Sequence, residues 1–193
     1  MKRHLAAPLL LAMLAGPAIA QGPFAGLGAA RDWTGASLGV GIGRADLDVD
    51  GIVDGSETGS IGGLRFNVDR DFGGYVLGGG IDYDFSELDA VDATLEDLLR
   101  VKLRGGIDAG PGLVYATGGY ARGGFASEVD GENDFSLDGY FLGIGAEFPL
   151  AGGVTVGAEL LHHRFSEIRV QGVEVRDADA DVGVAQVSLN YRF

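Results

Sequence analysis

The chain closes with Val187-Ser188-Leu189-Asn190-Tyr191-Arg192-Phe193. In an extended strand successive side chains point to opposite faces. Val187, Leu189, Tyr191 and Phe193 therefore form one apolar row, and Ser188, Asn190 and Arg192 form a polar one. The sequence stops on the aromatic end of that row, so a protein partner or lipid is expected to cover it. The other end of the chain favours lipid.

Lys2, Arg3 and His4 precede an apolar stretch from Leu5 to Leu14, interrupted by Pro8, and Ala18-Ile19-Ala20 offers a small-x-small cleavage site. This is the pattern of a secretory signal peptide over residues 1–20, with a mature start at Gln21. An uncleaved membrane anchor is the alternative, but a spanning helix needs about 20 apolar residues. With no cysteine in the sequence, no disulfide and no thioether-linked lipid anchor are expected. Beyond residue 20 no apolar run is long enough for a spanning helix. Yet hydrophobic residues make up 46% of the chain, and the mean hydropathy is +0.17. A β-barrel reconciles the two, because lipid-facing and lumen-facing residues alternate and hydropathy averages out along each strand.

Removing residues 1–20 takes away Lys2 and Arg3 and no acid, leaving 12 basic against 28 acidic residues, a formal net charge of −16. Nucleic acid is not an expected partner, since phosphate binding needs a basic stripe. Glycine accounts for 35 of 193 residues. It has no collagen period and falls largely inside strand-like runs, which implies a narrow lumen or close backbone approach.

Eight such runs are legible: 33–45, 60–69, 75–85, 98–108, 113–126, 137–148, 154–163 and 182–193. The fourth is the clearest. Leu99, Val101, Leu103 and Ile107 alternate with Arg100, Lys102, Arg104 and Asp108. The facing of the fifth is ambiguous. Acidic segments follow the odd runs and short turns follow the even ones, such as Asp108-Ala109-Gly110-Pro111-Gly112. The expected fold is all-β, an eight-stranded antiparallel up-and-down transmembrane β-barrel. Residues 1–20 would be the signal peptide, 21–31 a short periplasmic segment and 32–193 the barrel domain. Long loops then face outward and both termini lie on the periplasmic side. Trp33, Tyr75, Tyr115, Phe148, Tyr191 and Phe193 are expected in the periplasmic aromatic girdle, and Tyr83, Phe85, Phe135, Tyr140 and Phe165 near the outer one. A soluble lipocalin-like barrel is the alternative, with the apolar face inside.

Trp33-Thr34-Gly35, the run Leu113-Val114-Tyr115-Ala116-Thr117-Gly118-Gly119-Tyr120, Val156-Gly157-Ala158-Glu159 and the closing Tyr191-Arg192-Phe193 occur in an order that resembles the small outer-membrane β-barrel family of porin-like and opacity-type surface proteins of Gram-negative bacteria. The resemblance covers nearly the whole mature chain. It implies localisation in the bacterial outer membrane and insertion by the outer-membrane assembly machinery. That machinery would read the C-terminal strand ending in Phe193.

Arg65, Asp82, Arg100, Lys102, Arg104, Glu147, Glu159 and Arg192 are expected to face the lumen. Mixed signs at facing positions point to a salt-bridged plug, with a narrow ion path as the alternative. The first outer loop carries the sharpest motif, Asp46-Leu47-Asp48-Val49-Asp50-Gly51-Ile52-Val53-Asp54-Gly55-Ser56-Glu57, which fits D-x-D-x-D-G-x5-E. As a Ca²⁺ loop it would use carboxylate oxygens of Asp46, Asp48 and Asp50, the Ile52 carbonyl, Asp54 directly or through water, and a bidentate Glu57, with affinity of ~0.1–1 mM. Its flanks read as strands rather than helices, and the other outer loops are acidic too, so a solvated acidic loop is the alternative. An enzyme acting on lipid A acyl chains would need a nucleophile, a base and an orienting acid. His162, His163, Ser166 and Glu167 offer those types, but His162 and His163 must point to opposite faces of a strand.

The expected role is therefore structural or surface-interacting, without catalysis and with no required cofactor. Outer-membrane lipid and lipopolysaccharide are the expected partners of a monomeric barrel. Divalent cations would bridge its acidic loops to lipopolysaccharide phosphates.

Overall fold

The computed structural model describes residues 31–50, 55–90, 93–126, 135–170, 173–175 and 179–193; over 47–57, 86–96, 125–137 and 166–180 it describes no side chains. The strands are β1 (Gly35–Asp50), β2 (Gly55–Asp71), β3 (Tyr75–Ala90), β4 (Ala93–Asp108), β5 (Leu113–Ala126), β6 (Phe135–Pro149), β7 (Val154–Val170), β8 (Val173–Val175) and β9 (Asp179–Arg192). Each of β1 to β6 pairs antiparallel with its successor, and β9 closes the ring by pairing with both β7 and β1. β8 pairs with Ile168–Val170 of β7 and extends that strand as a small hairpin. The ring is thus an eight-stranded, up-and-down antiparallel barrel.

Its register sets its shape. From Ser37 the ladder partners run through Asn67, Gly80, Lys102, Gly119, Phe141, His163 and Val182, and return to β1 at Leu47. The circuit therefore climbs ten residues. With ~3.3 Å rise per residue and ~4.8 Å between strands, a stagger of ten over eight strands tilts the strands about 41° from the barrel axis. An even stagger also preserves parity, so each strand keeps one row inside and one outside all the way round.

Short turns close one end. Gly73 and Gly110 sit at φ +80° and +87°, and each donates its amide to the carboxylate two residues earlier, Asp71 at 2.7 Å and Asp108 at 2.8 Å. Chain entry and exit lie at this same end, where Ala36 and Phe193 exchange backbone hydrogen bonds of 3.1 and 2.9 Å. At the opposite end β1 and β2 stay paired as far as Val49 and Gly55, well past the apolar rows at 38–42 and 64–68. In β1 the row that is apolar at 38–42 turns acidic at Asp46, Asp48 and Asp50, so the apolar row that marks a strand inside lipid ends although the ladder continues.

The outer face is an apolar belt. Along β3 it runs from Tyr75 to Phe85, about 25 Å in height at this tilt. Leu103 is 75% exposed and Ile42 68%. The inner face holds the charges. Trp33, Val76, Leu113 and Tyr115 form an apolar cluster at the turn end. Ala45, Ile61, Leu98, Ala121, Phe141, Leu161, Phe165, Val182 and Val184 form a second one at the loop end. Charged side chains fill the space between.

Three aromatics depart from the expected girdles. Trp33 is 0% exposed and stops the turn-end mouth of the lumen. Tyr115 and Phe165 are also buried inside. Their strands explain both: Tyr115 shares parity with inward Leu113 and Thr117, and Phe165 with inward Glu159, Leu161 and His163. Tyr75, Tyr83, Phe85, Tyr140, Phe148, Tyr191 and Phe193 do face outward. Phe135 falls among the side chains outside the description.

Candidate functional site

The lumen is built by strand alternation. Each strand sends every second side chain inward, and small residues make room for long charged ones. Gly41 and Gly145 show the need for space. A Cβ on Gly41 would overlap the Arg65 guanidinium, and one on Gly145 would lie 2.5 Å from Cζ of Tyr115. All eight side chains expected inside are there: Arg65, Asp82, Arg100, Lys102, Arg104, Glu147 and Glu159 are buried, and the Arg192 side chain is 7% exposed. Asp69 and Asp84 join them. Both continue inward parities, Asp69 after Arg65 and Asn67, Asp84 after Asp82. Arg65, Arg100, Lys102, Arg104 and Arg192 thus face Asp69, Asp82, Asp84, Glu147 and Glu159, five cations and five carboxylates.

The charges form two connected layers. Near the turns, Arg104 meets both Asp69 oxygens and reaches Glu147 at 3.1 Å. Arg192 reaches Asp69 at 2.9 Å and Glu147 at 3.2 Å, and Thr155 donates to Glu147 at 2.7 Å. Higher up, Asp84 pairs with Arg65 at 3.2 Å and with Arg100. Asp82 accepts from Lys102 at 2.9 Å and lies 3.6 Å from Arg100. Gln186 accepts from Arg65 at 2.6 Å and donates to Glu159. Tyr115 joins the layers: its ring lies 5.0 Å from the Arg104 guanidinium, and its hydroxyl donates to Glu159 at 2.8 Å. Such mutual neutralisation is what buried ions require, since an unpaired one carries a large desolvation penalty. Among the described residues the lumen is therefore a packed, charge-balanced core, capped by Trp33 below and the Phe141–Phe165 cluster above.

The two adjacent histidines part as alternation demands. His163 is buried between the Phe141 and Phe165 rings, 5.2 and 6.1 Å away, with Nδ1 3.3 Å from the Val182 carbonyl. His162 lies outside, its Nε2 3.2 Å from Asp181. Ser166 and Glu167 fall among the side chains outside the description, so the lumen and the outer surface each receive one histidine.

For the candidate Ca²⁺ loop, Asp46 is outward and accepts from the Thr58 hydroxyl at 2.7 Å. The backbone of Asp48 and Asp50 runs in β1, and that of Glu57 in β2 opposite Leu47. The side chains of Asp48, Asp50 and Glu57, and residues Ile52 and Asp54 entirely, lie outside the described parts.

Residues 6–193 match the profile of the family described as outer membrane protein β-barrel domain. Among solved structures, Neisserial surface protein A superposes with a TM-score of 0.54 and 14% identity, over 82% of this chain and 99% of that one. Ail, the attachment invasion locus protein of Yersinia pestis, gives 0.45 and 14%, over 82% and 99%. OprG from Pseudomonas aeruginosa gives 0.44 and 12%, over 83% and 96%. At 14% identity the likeness to Neisserial surface protein A is one of fold. No curated protein matches the chain.

Proposed function

We propose a non-catalytic, structural and surface-presenting role for this chain, which belongs to the outer membrane protein β-barrel family of the bacterial outer membrane. One observation carries the reading: the barrel is apolar outside and charged inside, the reverse of a soluble ligand-binding barrel. The mouth stopped by Trp33 and the packed lumen support structure over solute passage. The outward row of Val187, Leu189, Tyr191 and Phe193 on β9 supports recognition by the outer-membrane assembly machinery. Short turns and both described chain ends at one end of the barrel support a periplasmic placement of that end. A closed ring has no free sheet edge, which supports a monomer.

Refolding into lipid vesicles tests the proposal. The barrel should insert, migrate anomalously on electrophoresis until heated, and expose loop segments to external protease. It should give no steady conductance in planar bilayers. A chain that stays folded and monodisperse without detergent or lipid would overturn the reading, and sustained conductance would replace the plug with a pore.

A second reading adds Ca²⁺ to the first loop. Its support is the motif from Asp46 to Glu57. Calorimetric titration of the refolded barrel should show one saturable site that is lost in Asp48→Ala and Glu57→Ala. A flat titration, or a site indifferent to both substitutions, removes it.

A further inference from the structure

We propose that the lumen binds water at a defined site near its turn end, held by Trp33, Ser37, Asn67, Asn190 and Arg192. This hydration belongs to the inside of the barrel and goes beyond the surface role above. Ser37 lies directly opposite Asn67 of β2 and Arg192 of β9, and Asn190 is the next inward residue along β9. At a tilt of 41° the Cα atoms of these four strand residues fall within about 6 Å of one another in height. Trp33 closes the site from below, its ring 5.4 Å from the Arg192 guanidinium.

Each of the five side chains carries a buried polar atom that finds no hydrogen-bond partner among the described residues: Trp33 Nε1, Ser37 Oγ, Asn67 Oδ1, Asn190 Oδ1 and Arg192 Nε. Asn190 and Arg192 are pinned by their other polar groups. Asn190 Nδ2 donates to Ser188 Oγ at 3.2 Å, and the terminal nitrogens of Arg192 serve the Trp33 carbonyl, Asp69 and Glu147. The amide oxygens of Asn190 and Asn67 lie over Gly39 and Gly80, where a Cβ would collide with them. Ser37 stands between the two amides. Its strand sends Ser37, Gly39, Gly41, Gly43 and Ala45 inward, the smallest side chains of any wall of the lumen.

The chemistry of the set selects the ligand. Trp33 Nε1 and Arg192 Nε only donate, the two amide oxygens only accept, and Ser37 Oγ does both. A cation would face two N–H donors, and an anion would face two amide oxygens. Either ion would also unbalance a lumen in which five cations already meet five carboxylates, and an uncompensated buried charge is costly. Water donates and accepts alike and adds no charge. A buried water makes about three hydrogen bonds to polar groups that otherwise lack partners, and five such groups converge here.

The test is magnetic resonance on the ¹⁵N-labelled full chain refolded in detergent micelles. The probes are the side-chain amides of Asn67 and Asn190 and the indole N–H of Trp33, which is the one tryptophan of the chain. Each should show cross-peaks to water of opposite sign in NOE and ROE spectra, the mark of water held in place rather than of proton exchange. Ser37→Ala removes a hydroxyl proton able to relay such a signal, so the contacts at Asn190 and Trp33 should persist in it. Its urea midpoint should fall by about 0.5 M, because the water loses a partner worth one hydrogen bond. Asn67→Leu combined with Asn190→Leu deletes both acceptors and should abolish the contact at Trp33. Absence of opposite-sign cross-peaks in the folded parent, or their loss in Ser37→Ala, overturns the site. So does an unchanged or raised midpoint in Ser37→Ala, the result for a hydroxyl that is dry in the native barrel. A Trp33 contact that survives in the folded double variant overturns the assignment to these residues.

Discussion

Arg192, in the last strand, donates from Nη1 to the Trp33 carbonyl at 2.6 Å, and its guanidinium lies 5.4 Å from the Trp33 ring. The strand that closes the barrel thus holds the residue that stops its mouth. The same guanidinium meets Asp69 of β2 and Glu147 of β6, so one side chain ties the chain entry, the closure and the lower charge layer together.

Removing the stopper should destabilise the barrel strongly. Trp33→Ala should cost about 3–5 kcal/mol, the range for emptying a large buried aromatic site. Arg192→Ala should cost a similar ~3–5 kcal/mol, because two buried carboxylates lose a partner. Urea unfolding of the refolded protein, followed by the heat-dependent shift in mobility, measures both. The double variant should cost less than the sum, since each single change already breaks the contact between the two residues.

Asp84 is the shared counter-ion of Arg65 and Arg100. Asp84→Ala should therefore be among the most damaging lumen substitutions, at about 3–5 kcal/mol. Adding Arg100→Met should recover part of the loss, since the second change removes a cation that the first left short of a partner. Unfolding midpoints that simply add would show that the two side chains do not act as a pair.

Glycines inside and outside should answer differently to the same chemistry. Gly145→Val would press on the Tyr115 ring, held between Arg104 and Glu159. Overpacking of this kind costs about 1–3 kcal/mol. Gly183→Ala, which meets open space, should change stability by no more than about 0.5 kcal/mol. Equal effects at the two positions, measured by urea unfolding, would contradict the packed lumen.

Much of this was legible because parity survives the whole circuit. The alternation of Leu99, Val101 and Leu103 with Arg100, Lys102 and Arg104 assigns β4 without a structure, and the same rule assigns all eight expected lumen charges. Aromatic residues near strand ends misled where proximity to an end outweighed parity, as at Tyr115 and Phe165. Trp33 lies before β1, where no alternation applies, and its inward turn depends on Arg192 at the far end of the chain. The upper half of β1 was hidden for another reason: the row that is apolar at Leu38, Val40 and Ile42 turns acidic at Asp46, Asp48 and Asp50, so the ladder there lacks the apolar row that marks the strand below.

The most direct test of the apolar exterior uses charge placed at two heights. Leu103 is 75% exposed and lies near mid-height of the belt, whereas Ser60 is exposed at its loop-end edge. In a bilayer, Leu103→Arg should cost about 2–4 kcal/mol and Ser60→Arg about 0–1 kcal/mol, because the penalty for a charge on the lipid face falls with distance from the midplane. The comparison belongs in lipid vesicles, by urea titration of the inserted protein. For a barrel standing in water, both substitutions would replace an exposed side chain by a soluble one, and neither would matter. A large cost at Leu103 beside a small one at Ser60 follows only if hydrocarbon covers that face. Equal costs at the two positions would overturn the membrane-spanning reading.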